Sequence, residues 1–148
     1  MKKFFIRTIF IFLTIVIAVF GLLYFLLNDE VKDQYSTLDA AREDQLFERG
    51  WLPDILPPSA RNIKTSNNLD VNTSVGQFSF NPSEYPLLEA KLQPYKQVVT
   101  PLVRWENKIE KLKRKGFTPL TYEAHGSIWV FFCKPEIGYC EYTLWSYR

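Results

Sequence analysis

An uncharged run, TIFIFLTIVIAVFGLLYFLL, opens at Thr8 and closes at Leu27. At about 1.5 Å rise per residue, a helix of roughly twenty residues is about 30 Å long, the thickness of a bilayer's hydrocarbon core. The run therefore predicts one transmembrane helix over 8–27, with the rest of the chain on one side of it. A cleaved secretory signal has a shorter apolar stretch and small residues at its cleavage site. Here the run ends in Tyr24, Phe25, Leu26, Leu27 and Asn28, which are bulky where small side chains are needed. A soluble helix that is apolar all round would need a partner over every face.

Lys2, Lys3 and Arg7 precede the run, and Asp29, Glu30, Lys32 and Asp33 follow it. Basic residues concentrate on the cytoplasmic flank and acidic ones carry little weight. The expected organisation is a cytoplasmic tip (1–7), the span (8–27), a short stalk (28–36) and one extracytoplasmic domain (37–148). All 16 acidic residues lie beyond Leu27, as do all but three of the 18 basic ones, so that part carries a net charge of about −1. Such a balance removes the electrostatic footprint of nucleic-acid binding. Its length suits one core and leaves no room for a second.

Thr37 is placed to cap a helix from Leu38 to about Arg49, with Gly50 at its left-handed end. Trp51 to Ala60 carries prolines at 53, 57 and 58 among Trp, Leu and Ile. Proline denies this stretch a regular helix or central strand, so it predicts an extended apolar strap across a core. Strands are expected over 61–66 and 77–80, with turn chemistry between them and Phe78 and Phe80 on one face. A short helix is expected over 84–92. A clearer one starts at Thr100-Pro101, with Leu102, Trp105, Ile109 and Leu112 as its apolar stripe and a basic last turn, Lys111 to Lys115, before Gly116. After Gly116 the residues turn β-rich over 118–124, 127–133 and 139–147, joined by short connectors. The fold class expected is α+β: the membrane helix, then a single compact domain with helices packed on an antiparallel sheet that ends in a β-meander.

Cys133 and Cys140 flank the last connector. Outside the cytoplasm the environment favours disulfides, and cross-strand Cβ atoms approach close to bridging geometry. A disulfide between them is expected, closing a loop worth about 2.5 kcal/mol in the chain-entropy picture. Two free buried thiols are the alternative; a C-x-x-C redox motif is absent.

No catalytic, cofactor or metal site is expected. The single histidine, His125, sits beside Gly126 in a predicted turn, and no G-x-S-x-G elbow occurs. Asp70, Asn72 and Ser74 imitate the start of a calcium loop, but Val75 and Asn81 stand where Gly and Glu are needed. The Lys111 to Lys115 run reads as a solvated helix end. Surplus aromatics point to a protein partner, with exposed Trp or Tyr as the contact surface. Three readings follow: a non-enzymatic accessory or protein-binding module, an immunity protein against a secreted toxin, or an enzyme or ligand receptor without a recognisable motif.

The stretch Leu46-Phe47-Glu48-Arg49-Gly50-Trp51-Leu52-Pro53-Asp54-Ile55-Leu56-Pro57-Pro58-Ser59-Ala60, then Ile63, Leu69, Asp70, Asn72 and Phe78, resembles a recurring pattern. It is similar to small membrane-anchored bacterial proteins with a YbbD head-type domain, over roughly 38–80. The sequence departs at Asn67-Asn68, where relatives often carry His-Asp. The resemblance implies a bacterial envelope protein; together with the expected span and its basic flank, the expected location is the bacterial inner membrane with the carboxyl-terminal domain periplasmic, and the expected partner is another envelope protein. The resemblance brings no catalytic residues.

Overall fold

The computed structural model describes residues 2–26 and 30–146, and within the first segment the side chains of 6, 7 and 9–24. Residues 2–26 form one helix, α1 (Lys2–Leu26). The predicted membrane span does not stand, however: among the described residues no helix is long and apolar enough to cross a membrane. Leu27, which closed the expected span, lies outside the described residues. Along α1 the side chains of Phe10, Phe12 and Phe20 are exposed.

The predicted stalk is also different. Asn28 and Asp29 lie outside the described residues, but the next eight residues form a strand, β1 (Glu30–Thr37), paired with β2 (Arg61–Asn68). Only Tyr35 of β1 is buried. A strand at a sheet edge with one open face needs few apolar residues, so its sequence looks like a linker.

The sheet has seven strands in the order β1-β2-β3-β7-β6-β5-β4, all pairs antiparallel. Here β3 is Thr73–Ser79, β4 Gln93–Pro94, β5 Thr118–Ala124, β6 Ser127–Lys134 and β7 Tyr139–Ser146. The carboxyl-terminal meander is as the sequence predicts, with Tyr147 outside the described residues. Its last strand returns beside β3 and joins the two halves: Val75 pairs with Thr143 and Gln77 with Glu141.

One sheet face is fully covered. Helix α2 (Leu38–Glu43) is capped by the Thr37 hydroxyl, which accepts from the Ala40 N–H at 3.2 Å. It stops six residues before Arg49 because Gln45 is left-handed, at φ 57°. That reversal drops Leu46 into the core, where it is fully buried. Gly50 follows with φ 76°, as a helix-terminating residue would. The strap then crosses this face, burying Trp51, Leu52, Ile55 and Leu56 against Ile63, Phe78 and Phe131. A 3-10 turn (Pro82–Glu84) and α3 (Tyr85–Glu89) complete the layer through Tyr85 and Leu88.

The opposite face is covered only in part. Helix α4 (Trp105–Arg114) lays Trp105, Ile109 and Leu112 on Ile128, Val130, Phe132 and Trp145 of β6 and β7. Trp105 meets Trp145 edge-on, with ring centroids 5.0 Å apart. Burying each such side chain stabilises by about 1.5–3 kcal/mol, which holds the ten-residue helix in place. It starts four residues later than Pro101 suggests. The Thr100 hydroxyl takes the Leu102 N–H at 3.2 Å, and Arg104 is left-handed at φ 58°. A side chain that bonds its own backbone competes with the helix. Leu102 still packs against this cluster.

Candidate functional site

Because α4 stands over β6 and β7, the same face of β1, β2 and β3 is left bare. Strand register shows what lies there. Gln34 pairs with Lys64, Lys64 with Gln77 and Gln77 with Glu141, a polar row across four strands. The next row runs Lys32, Ser66, Val75, Thr143. Alternation sends the neighbours of these residues, such as Ile63, Phe78 and Tyr142, into the covered core.

These rows line a groove of about 650 Å³ whose far wall is Lys108 of α4. Lys108 donates to the Thr143 Oγ1 at 2.9 Å. Its ammonium sits 5.3 Å from the Trp105 ring centroid and 5.9 Å from that of Phe132. Burial lowers the Lys108 pKa below the usual lysine value, and the Glu141 carboxylate only partly opposes this. Among the described residues, neither Lys108 nor Lys64 has an ion-pair partner. Glu141 and Gln77 are tied together instead by the Tyr139 hydroxyl, 3.3 and 3.2 Å from their side-chain oxygens. Burial, then the nearby Glu141, pushes the Tyr139 hydroxyl up to about 12. At the outer edge, Lys32 pairs with Glu30 at 3.2 Å, and Ser66 donates to the same carboxylate.

A smaller apolar pit of about 230 Å³ adjoins this groove and shares Val75 and Lys108 with it. Leu102, Val103 and Trp105, with Thr73 and Thr143, complete its walls, and Val103 is 88% exposed. A second groove of about 480 Å³ lies on the covered side, between the strap and the β5–β6 turn. Its walls include Gly50, Leu52, Pro53 and Asp54 of the strap together with His125. Asp54 is held there by Arg42 at 2.5 Å.

Residues singled out from sequence fall in different places. Cys133 and Cys140 are directly paired across β6 and β7, with Cα atoms 4.1 Å apart, at disulfide distance. His125 is in the predicted turn, left-handed at φ 51°. Asp70 and Asn72 are in the β2–β3 turn, which is shorter than predicted because both strands run on through Asn68 and Thr73. The Asn72 amide is committed to Ser146 at 2.8 Å, and Ser74 donates to the buried Asn67 at 2.6 Å, so the calcium-like triplet does not converge. Lys111, Lys113, Arg114 and Lys115 are exposed. The expected surface of exposed tryptophans is not present: all four Trp residues are buried. Lys108, Glu141, Tyr139 and Lys64 were not singled out. The signal for Lys108 was a lysine three residues after Trp105, on the flank of an apolar stripe.

A YbbD head domain model matches residues 29–79. The match covers about a third of the chain and spans β1, α2, the strap, β2 and β3. It extends the resemblance read from the sequence onto β1. No curated protein and no solved structure matches. Thus the YbbD-head-like part supplies three of the four strands under the bare face, while Glu141, Tyr139 and Lys108 come from beyond it.

Proposed function

We propose that this chain is a non-enzymatic accessory module of the bacterial envelope, and that it binds another protein through the bare face of β1, β2, β3 and β7. The observation that carries this reading is the half-covered sheet: β1, β2 and β3, with the adjoining edge of β7, present hydrogen-bonding side chains in register, and among the described residues no element packs over the first three. The chemistry of that row favours binding over catalysis. Its polar groups are spread across four strands, roughly 15 Å, rather than aimed at one reacting atom. His125 lines the other groove and meets neither Lys108 nor Glu141. The YbbD head domain match supports the envelope, and a cysteine pair at disulfide distance suits an oxidising compartment such as the periplasm.

Photocrosslinking in cells tests it. A photoreactive residue at Gln34 or Lys64, on the bare face, is expected to trap the same protein. The same group at Leu87, exposed on α3, is expected to trap nothing. Equal trapping from all three positions, or none from the face, refutes the reading.

A further inference from the structure

The groove on the bare face has two features that together specify an occupant. The first is Lys108. An ammonium carries three donors, and the structure gives this one a single acceptor, the Thr143 hydroxyl. A partly desolvated cation above two aromatic rings, with donors left over, is satisfied by an anion arriving from outside. Lys64, also without an ion pair, lines the same groove; of the two carboxylates there, Glu141 accepts the Tyr139 hydroxyl and Asp33 lies on the edge strand β1. Lys64 is on β2 and Thr143 on β7, two strand spacings across and, because Lys64 stands level with Glu141, two residues further along, roughly 12 Å apart. The second feature is the pit beside Lys108, where Val75 and Val103 are exposed next to Leu102.

Resting on the reading that this face binds a protein, we propose that the groove takes an extended acidic segment of the partner. Carboxylates four residues apart, on the side of the segment that faces the sheet, meet Lys108 and Lys64, and an aliphatic side chain two residues beyond on the same side enters the pit. An extended chain advances about 3.3 Å per residue, so four residues span about 13 Å, close to the separation of the two strand positions.

The test uses the full-length protein and a fluorescein-labelled peptide of twelve residues repeating Glu-Ser-Leu-Ser, which puts every Glu and Leu on one side of an extended chain, followed by polarisation. The same peptide with Gln for every Glu is expected to bind at least tenfold more weakly. Lys108→Met and Lys64→Gln are each expected to weaken the Glu peptide about tenfold, and Lys111→Gln, at the exposed helix end, to leave it unchanged. Lys64 is exposed, so its variant reports on binding even if Lys108→Met perturbs packing. Equal affinity for the two peptides, an equal loss in Lys111→Gln, or binding of anionic lipid vesicles in place of the peptide overturns the proposal. Crosslinking from Gln34 and Lys64 that persists alongside equal peptide affinities would sink the acidic segment and leave the protein-binding face standing. Loss of both would sink the two together.

Discussion

Gly138 is the position where adding one methyl group is expected to cost most. It follows the 3-10 turn Pro135–Ile137 and enters β7 with φ 60°. Its carbonyl accepts the Phe80 N–H at 2.8 Å, and its own N–H donates to Pro135 at 3.1 Å. A Cβ here would overlap the Phe80 carbonyl oxygen and touch the Pro82 ring at 3.0 Å. Backbone and proline have no rotamer in which to retreat, so relief must break the Phe80–Gly138 bond. A left-handed alanine costs about 1 kcal/mol and overpacking about 1–3, with roughly another 1 for the lost hydrogen bond. Gly138→Ala is therefore expected to destabilise by about 3–5 kcal/mol. Gly116 is the control: it is left-handed at φ 83°, but a Cβ there meets nothing within 4 Å. Gly116→Ala is expected to cost only about 1 kcal/mol. Urea unfolding followed by tryptophan emission measures both, because all four tryptophans are buried. If the two variants are equally stable, the steric argument at Gly138 is wrong.

Lys108→Met is expected to stabilise the fold by about 1 kcal/mol, since it keeps the apolar stem and removes a desolvated charge. A folded-state pKa below the usual lysine value means that the unfolded chain holds more protons, so the wild type regains stability as pH rises towards 10.5. The gap between variant and wild type should narrow over that range in parallel urea titrations, and a constant gap would contradict the assignment. Replacing Cys133 and Cys140 with serine is expected to cost about 2.5 kcal/mol in the same assay; no change, or two alkylated thiols by intact mass without reductant, would dismiss the bridge. Tyr35 donates to Asp44 at 2.5 Å, and that bond, with Arg49, holds the Asp44 carboxyl below its usual range. In Tyr35→Phe the carboxyl should titrate at higher pH by NMR, and an unmoved titration would refute the cause. Burial pushes the hydroxyls of Tyr85, Tyr95 and Tyr139 up to about 12. Their contribution to stability is complete below pH 10 and lost as pH rises through 12, which tyrosinate absorbance in folded and urea-unfolded protein will show.

Local chemistry was legible wherever it is set by neighbours in sequence. Thr37 caps because its hydroxyl needs only the next turn's N–H. The strap is irregular because proline has no N–H to give. The meander follows from runs of β-branched and aromatic residues and two short connectors. The β1 strand was not legible: six of its eight residues are exposed at a sheet edge, and its ladder partners are on β2, about thirty residues away. The α4 start was misplaced for a local reason outweighed by another: Pro101 favours a helix start, but Thr100 and Arg104 form a turn first.

The candidate face belongs wholly to tertiary structure. Lys64, Gln77, Glu141 and Lys108 are far apart in sequence and meet only because β7 returns beside β3 while α4 settles one strand too far over to cover β1 to β3. Sequence alone determined which segments could be strand, strap or helix, since those depend on side-chain period and backbone donors. The order of strands, and with it which polar residues stay uncovered, was decided by how one apolar helix stripe and one strap share out two faces of a single sheet.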